Sequence, residues 1–159
     1  MSTDDDFLAY VGTHWSRLVR VALILEGPDR AEAVVQEALV RSYQRWARVW
    51  EGDRADVDVL THLLTGIYVP TGRPWRGESA PAETAPAPNH DSDEETPELV
   101  RVLQPLTPLL RDVLVLSYVA ELSEEQVADV LDVRPETVRD RLEWALTAVG
   151  PCRQRDHLR

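Results

Sequence analysis

Along most of the chain, apolar positions recur at intervals of three and four, the spacing that gathers them on one face of an α-helix. Phe7, Leu8, Val11, Trp15, Leu18, Val19 and Ala22 trace a first helix, with Asp4 to Asp6 placed to cap its start. Gly27-Pro28 stops it, and Asp29 is placed to cap a second. That second helix carries one stripe through Ala31, Val34, Val35, Ala38, Leu39, Ser42, Tyr43 and Trp46. A third is predicted over about 56–69, with Val57, Leu60, Leu64 and Ile67 aligned and Pro70 and Gly72 ending it. Leu109, Leu110, Val113, Leu114, Leu116 and Val119 predict a helix over about 107–119. Ser123 followed by Gln126 is a capping-box pair that opens a short helix through Val127, Ala128, Val130 and Leu131. After the break at residues 132–135, Val138, Leu142, Ala145 and Val149 predict a longer last helix, with Pro135 at its first position. No segment alternates as a strand would, so the predicted class is all-α.

Composition divides this helical chain in two. Residues 71–98 hold five prolines, seven acids and two arginines, and almost no large apolar residue follows Trp75 there. Such a stretch buries too little surface to offset the entropy of ordering it. The predicted organisation is a helical unit at 1–72, a flexible linker at 73–98, a second helical unit at 99–152 and a tail at 153–159. The chain has 159 residues and a net charge of −11, with 17 basic residues, every one an arginine. An acidic balance of that size argues against a protein whose affinity comes from blanketing nucleic acid with cations.

Candidate chemistry is sparse. His14, His62, His90 and His157 have no metal-ligand spacing, and the acidic runs at 4–6 and 91–95 lack the glycine and spacing of a calcium loop. Cys152 is alone, so no internal disulfide is expected and a reducing compartment fits. No glycine-rich phosphate loop is present. No enzyme activity, cofactor or metal is therefore expected. The start, Met1 to Asp6, is acidic rather than a secretory leader, and no apolar run is long enough to span a bilayer. A cytoplasmic protein is the expectation.

A capped short helix, a tight turn and a longer helix form the helix-turn-helix order. Leu122-Ser123-Glu124-Glu125-Gln126-Val127-Ala128, followed by Thr137-Val138-Arg139-Asp140-Arg141-Leu142, resembles region 4 of bacterial sigma factors. Leu106-Thr107-Pro108-Leu109-Leu110-Arg111 before it is similar to the lead-in segment of the extracytoplasmic-function (ECF) group of the sigma-70 family. Ala31-Glu32-Ala33-Val34-Val35-Gln36-Glu37-Ala38-Leu39-Val40-Arg41, with Tyr43 and Trp46, resembles region 2.2, the helix that docks on core RNA polymerase. Two matching blocks in the right order cover most of the chain outside the linker.

The resemblance implies docking on polymerase core through Glu32, Gln36, Glu37, Arg41 and Trp46, the last as an exposed interface residue. It implies DNA contacts from Arg73 and Arg76 and from Arg134, Thr137, Arg139, Asp140 and Arg141. Those DNA segments depart from the family. Thr65 stands where an Asn is usual, and Pro70, Gly72 and Pro74 cut the helix before it presents a basic face. Tyr68 and Trp75 retain the capacity to stack on single-stranded bases, although Trp75 folding back on the core is the favoured reading. Glu136, Asp140 and Glu143 share the recognition helix with its arginines, and Arg134 replaces a serine cap.

The favoured expectation is a divergent ECF sigma factor-like regulator. It acts through protein contacts with polymerase core, an anti-sigma factor or another regulator, and its DNA binding is weakened. The alternative is a fully functional ECF sigma factor directing promoter-specific initiation, and a non-sigma helical interaction module is the third. An apolar face left without its partner also allows a homodimer.

Overall fold

The computed structural model describes residues 2–49, 54–72, 74–78, 98–103 and 106–156. Among these, every regular element is helical, as the periodicity predicts. The order is α1 (Thr3–Glu26), α2 (Ala31–Tyr43), α3 (Trp46–Val49), α4 (Arg54–Tyr68), α5 (Glu98–Leu103), α6 (Pro108–Leu114), α7 (Glu124–Leu131) and α8 (Pro135–Asp156).

Helix ends follow local chemistry, with two corrections. The cap of α1 is Ser2, not Asp4 to Asp6. The Ser2 hydroxyl accepts the Asp5 N–H at 3.2 Å, and the Asp5 carboxylate accepts the Ser2 N–H at 3.2 Å. Asp4 to Asp6 then lie in the first turn, where the helix dipole favours negative charge. Asp29 does not cap α2, because Arg30 occupies the cap position and makes no side-chain bond there. Gly27 ends α1 with a φ of 97°, open to glycine without strain, and its N–H donates to the Leu23 carbonyl. The helix predicted over 107–119 is two pieces. α6 passes at Val115–Val119 into a π-turn, where the Ala120 N–H reaches back to the Val115 carbonyl at 2.9 Å. The capping box at the start of α7 is present as predicted.

The core is continuous from one end of the chain to the other. Leu18 and Val21 of α1, Val34 and Val35 of α2, and Leu60, Leu63 and Leu64 of α4 are buried in it. The same cluster holds Val113, Leu116, Val127, Leu131 and Val138 from the second half of the chain. α4 packs on α7, and α1 packs on the π-turn. Burying each such side chain contributes about 1.5–3 kcal/mol, so the joint between the halves is built like the interior of either.

Candidate protein and nucleic-acid interfaces

α2 exposes one clean face. Its buried positions are Ala31, Val34, Val35, Ala38, Leu39 and Ser42. Glu32, Gln36, Glu37, Val40 and Arg41 point outward between them. Arg41 donates to Glu37 at 2.6 Å, one helical turn away. The structure therefore brings four of the five residues expected for polymerase docking onto one surface.

Trp46 is the exception. It is only 2% exposed. The chain turns at Gln44 and Arg45, and α3 carries the indole inward between Phe7 and Tyr10, each with ring centroids 5.0 Å away. The apolar stripe that predicts α2 continues into Trp46, and burial on that stripe prevails over display at an interface. Tyr43 stays at the surface, 45% exposed, with its hydroxyl donating to Asp4 at 2.6 Å.

At the far end of α4 the expected basic face does not form. Thr65 donates its hydroxyl to the Thr61 carbonyl at 2.7 Å, inside its own helix. A 3-10 turn, Val69–Thr71, and Gly72 at a φ of 69° end the helix. Tyr68 is buried, and its hydroxyl donates to Asp112 of α6 at 2.6 Å. Trp75 folds back and stacks on Tyr68 at 6.1 Å with the rings 23° apart. Neither ring is turned outward to receive a base. Arg73 lies outside the described residues, as does most of the predicted linker.

Residues 75–78 form a strap across the second half of the molecule, although the sequence places them in the linker. The Arg76 guanidinium donates to the carbonyls of Val130 and Asp129 at 3.1 and 3.2 Å, and the Gly77 N–H donates to the Leu131 carbonyl at 2.7 Å. These carbonyls belong to the last turn of α7, where a helix lacks internal donors and favours positive charge. Arg76 is thus a helix-end ligand rather than a free DNA contact.

Three of the five expected DNA contacts of α8, Arg134, Thr137 and Arg139, are likewise engaged. Glu78 accepts from the Arg134 N–H at 2.8 Å and from its guanidinium at 3.4 Å. The Thr137 hydroxyl lies 2.9 and 2.8 Å from the two Glu78 oxygens, and its one proton serves either. The Arg134 N–H, the Thr137 hydroxyl and the Arg134 guanidinium hold the Glu78 carboxyl below its usual pKa. Arg139 forks onto Glu124 at 2.9 and 3.4 Å. Arg141 is a correction, being 5% exposed and turned into the interior near Asp112. Asp140 is exposed beside Glu136 and Glu143, so the outward face of α8 is acidic.

Two groups escape the sequence reading. Burial pushes the Asp112 carboxyl up to about 7, while the Tyr68 hydroxyl and the guanidinium groups of Arg111 and Arg141 pull it down. Glu78 counts in the sequence only as one more linker acid. The signal that points to it is indirect, since a helix opening at Arg134 has no acceptor of its own there.

Residues 97–149 match the family described as Sigma-70, region 4. Over 146 residues the chain is 31% identical to the RNA polymerase sigma-E factor of Streptomyces coelicolor, covering 89% of this chain and 82% of that protein. It is 32% identical over 146 residues to the RNA polymerase sigma-E factor of Streptomyces avermitilis, covering 89% and 81%.

Proposed function

Because the chain belongs to the ECF group of the sigma-70 family and is a transcription regulator of that kind, we propose that it works mainly through protein contacts, with weakened DNA binding. Core RNA polymerase docks on the outward face of α2, formed by Glu32, Gln36, Glu37 and Arg41. Members of the family are generally not enzymes. The relatives are named for RNA polymerase, which supports polymerase core as the partner. Among the described residues no helix is long and apolar enough to cross a membrane. The reading places the protein in the cytoplasm beside polymerase. An anti-sigma factor, another regulator or a second copy of the chain are further partners it accommodates.

One observation carries the weakened DNA binding. The candidate cations of α8 already have partners within the chain or are buried. Arg134 holds Glu78, Arg139 holds Glu124, and Arg141 is interior. Each phosphate left without a cation lowers the salt slope of DNA binding by about one unit. A second reading, promoter-specific initiation by a fully functional factor, is supported by the similarity that runs over 89% of the chain. Under that reading the internal ion pairs give way in the polymerase complex.

Titration of core polymerase with the full chain, followed by promoter-selective transcription, tests both. Glu37→Arg breaks the Arg41 pair and reverses the charge of the docking face. It is expected to weaken core binding by about tenfold, or about 1.4 kcal/mol, with the thermal midpoint unchanged. Wild-type affinity in that variant, or no core binding by the wild type, ends the docking assignment. Selective transcription from a defined promoter decides for the fully functional factor.

A further inference from the structure

We propose that Glu78 is an intramolecular stand-in for a DNA phosphate, closing the N-terminal end of α8 in the free protein. The proposal rests on α8 being the DNA-facing helix.

The groups that hold Glu78 are those that hold a phosphate oxygen. They are the Arg134 N–H at 2.8 Å, the Thr137 hydroxyl at 2.8 and 2.9 Å, and the Arg134 guanidinium at 3.4 Å. A helix N-terminus, a hydroxyl and a guanidinium together form a common anion cradle. A carboxylate and a phosphate cannot occupy it at once. The acid comes from 56 residues upstream, so it is delivered by the fold rather than by the local sequence of α8.

Its delivery is built independently of the cradle. Trp75 stacks on Tyr68. Arg76 and the Gly77 N–H bind the carbonyl end of α7. Gly77 has a φ of 97°, a conformation that a residue with a Cβ rarely adopts. Three consecutive anchors therefore set the fourth residue over the cradle. Tyr68 belongs to α4 and donates to Asp112 of α6. Separation of α4 from the second half thus pulls on the same strap that holds Glu78 down. Exposure of the cradle is coupled to opening of the joint, which a large docking partner such as polymerase can drive.

The test uses the full chain and fluorescein-labelled duplex DNA of random sequence, because phosphate contacts are independent of sequence. Glu78→Gln is expected to bind about tenfold tighter than wild type, with a salt slope steeper by about one unit. Asp29→Asn removes the same charge from an exposed turn and is expected to match wild type. Gly77→Ala keeps the net charge at −11 but strains the strap, and is expected to tighten binding as well. Adding Arg134→Ala to Glu78→Gln removes the guanidinium of the cradle and is expected to abolish the gain, which locates it at the start of α8.

Equal binding by Glu78→Gln and Asp29→Asn overturns the proposal, as does a gain that survives Arg134→Ala. No tightening with Gly77→Ala overturns the role of the strap. DNA binding by the polymerase complex, with and without Arg139→Ala, separates the closure from the role of α8. If that binding depends on Arg139 while Glu78→Gln has no effect, the closure fails and the reading of α8 stands. If neither has an effect, both fail.

Discussion

An indole enclosed by two aromatic rings decides the behaviour of the segment after α2. Trp46 sits between Phe7 and Tyr10, and its Nε1 finds no acceptor among the described residues. Removing the ring leaves a large cavity, whereas removing the N–H leaves one fewer unsatisfied donor. Trp46→Ala is therefore expected to cost about 3–5 kcal/mol in urea unfolding, and Trp46→Phe much less. Comparable losses from the two variants would overturn this account. At a temperature where all variants are folded, polymerase affinity is expected to follow neither substitution. The same residue marks where sequence is a good guide and where it is not. Periodicity puts Trp46 on the buried stripe with Ala38, Leu39 and Ser42, and the structure agrees. The expectation of an exposed contact follows from resemblance to a docking helix, which carries no information about how this chain turns at Gln44. Arg141 teaches the same lesson, because the pattern of α8 places it one turn from Val138 and Ala145, both fully buried.

Helix starts and stops are legible wherever the chemistry is local. The Ser123 hydroxyl accepts the Gln126 N–H at 3.2 Å, and the Gln126 side chain accepts the Ser123 N–H at 2.9 Å. Two residues three apart suffice to write that signal. Ser123→Ala is expected to lower stability by about 1 kcal/mol, read as a shift in the urea midpoint with unchanged slope. A shift near zero would mean that packing of α7 against α4 and α8 sets its start instead. α8 has no such signal. Its cap position is Arg134, and the acceptor arrives from Glu78. The π-turn at Val115–Val119 is equally hidden, because one extra residue in a turn leaves an apolar run unbroken. It is followed by Glu121 at a φ of 59°, a conformation costly for a residue with a side chain and held here by the packed elements on either side.

At the scale of the molecule, the linker prediction describes the composition well and the packing of its first residues poorly. The aliphatic residues that join the halves look, in sequence, like the core of either half alone. The contact of α4 with α7 appears only in the folded chain. A buried polar contact of that joint is the Tyr68–Asp112 pair, and it makes stability depend on pH. Asp112 ionises near 7 when folded, against an ordinary 3.8. The folded state thus binds more protons between those limits. The contribution is fully present at the acid end and is lost as pH rises through 7, at up to about 1.4 kcal/mol per pH unit. Asp112→Asn is expected to flatten the rise in urea midpoint between about pH 8 and about pH 5, and an unchanged slope would assign it to other groups. The internal pairing of Arg134 and Arg139 has one more effect, on time rather than on equilibrium. With those charges matched at short range, what an approaching polyanion meets is the surplus of −11, felt mainly within the roughly 8 Å Debye length of physiological salt. A free chain therefore meets a DNA duplex without attractive steering.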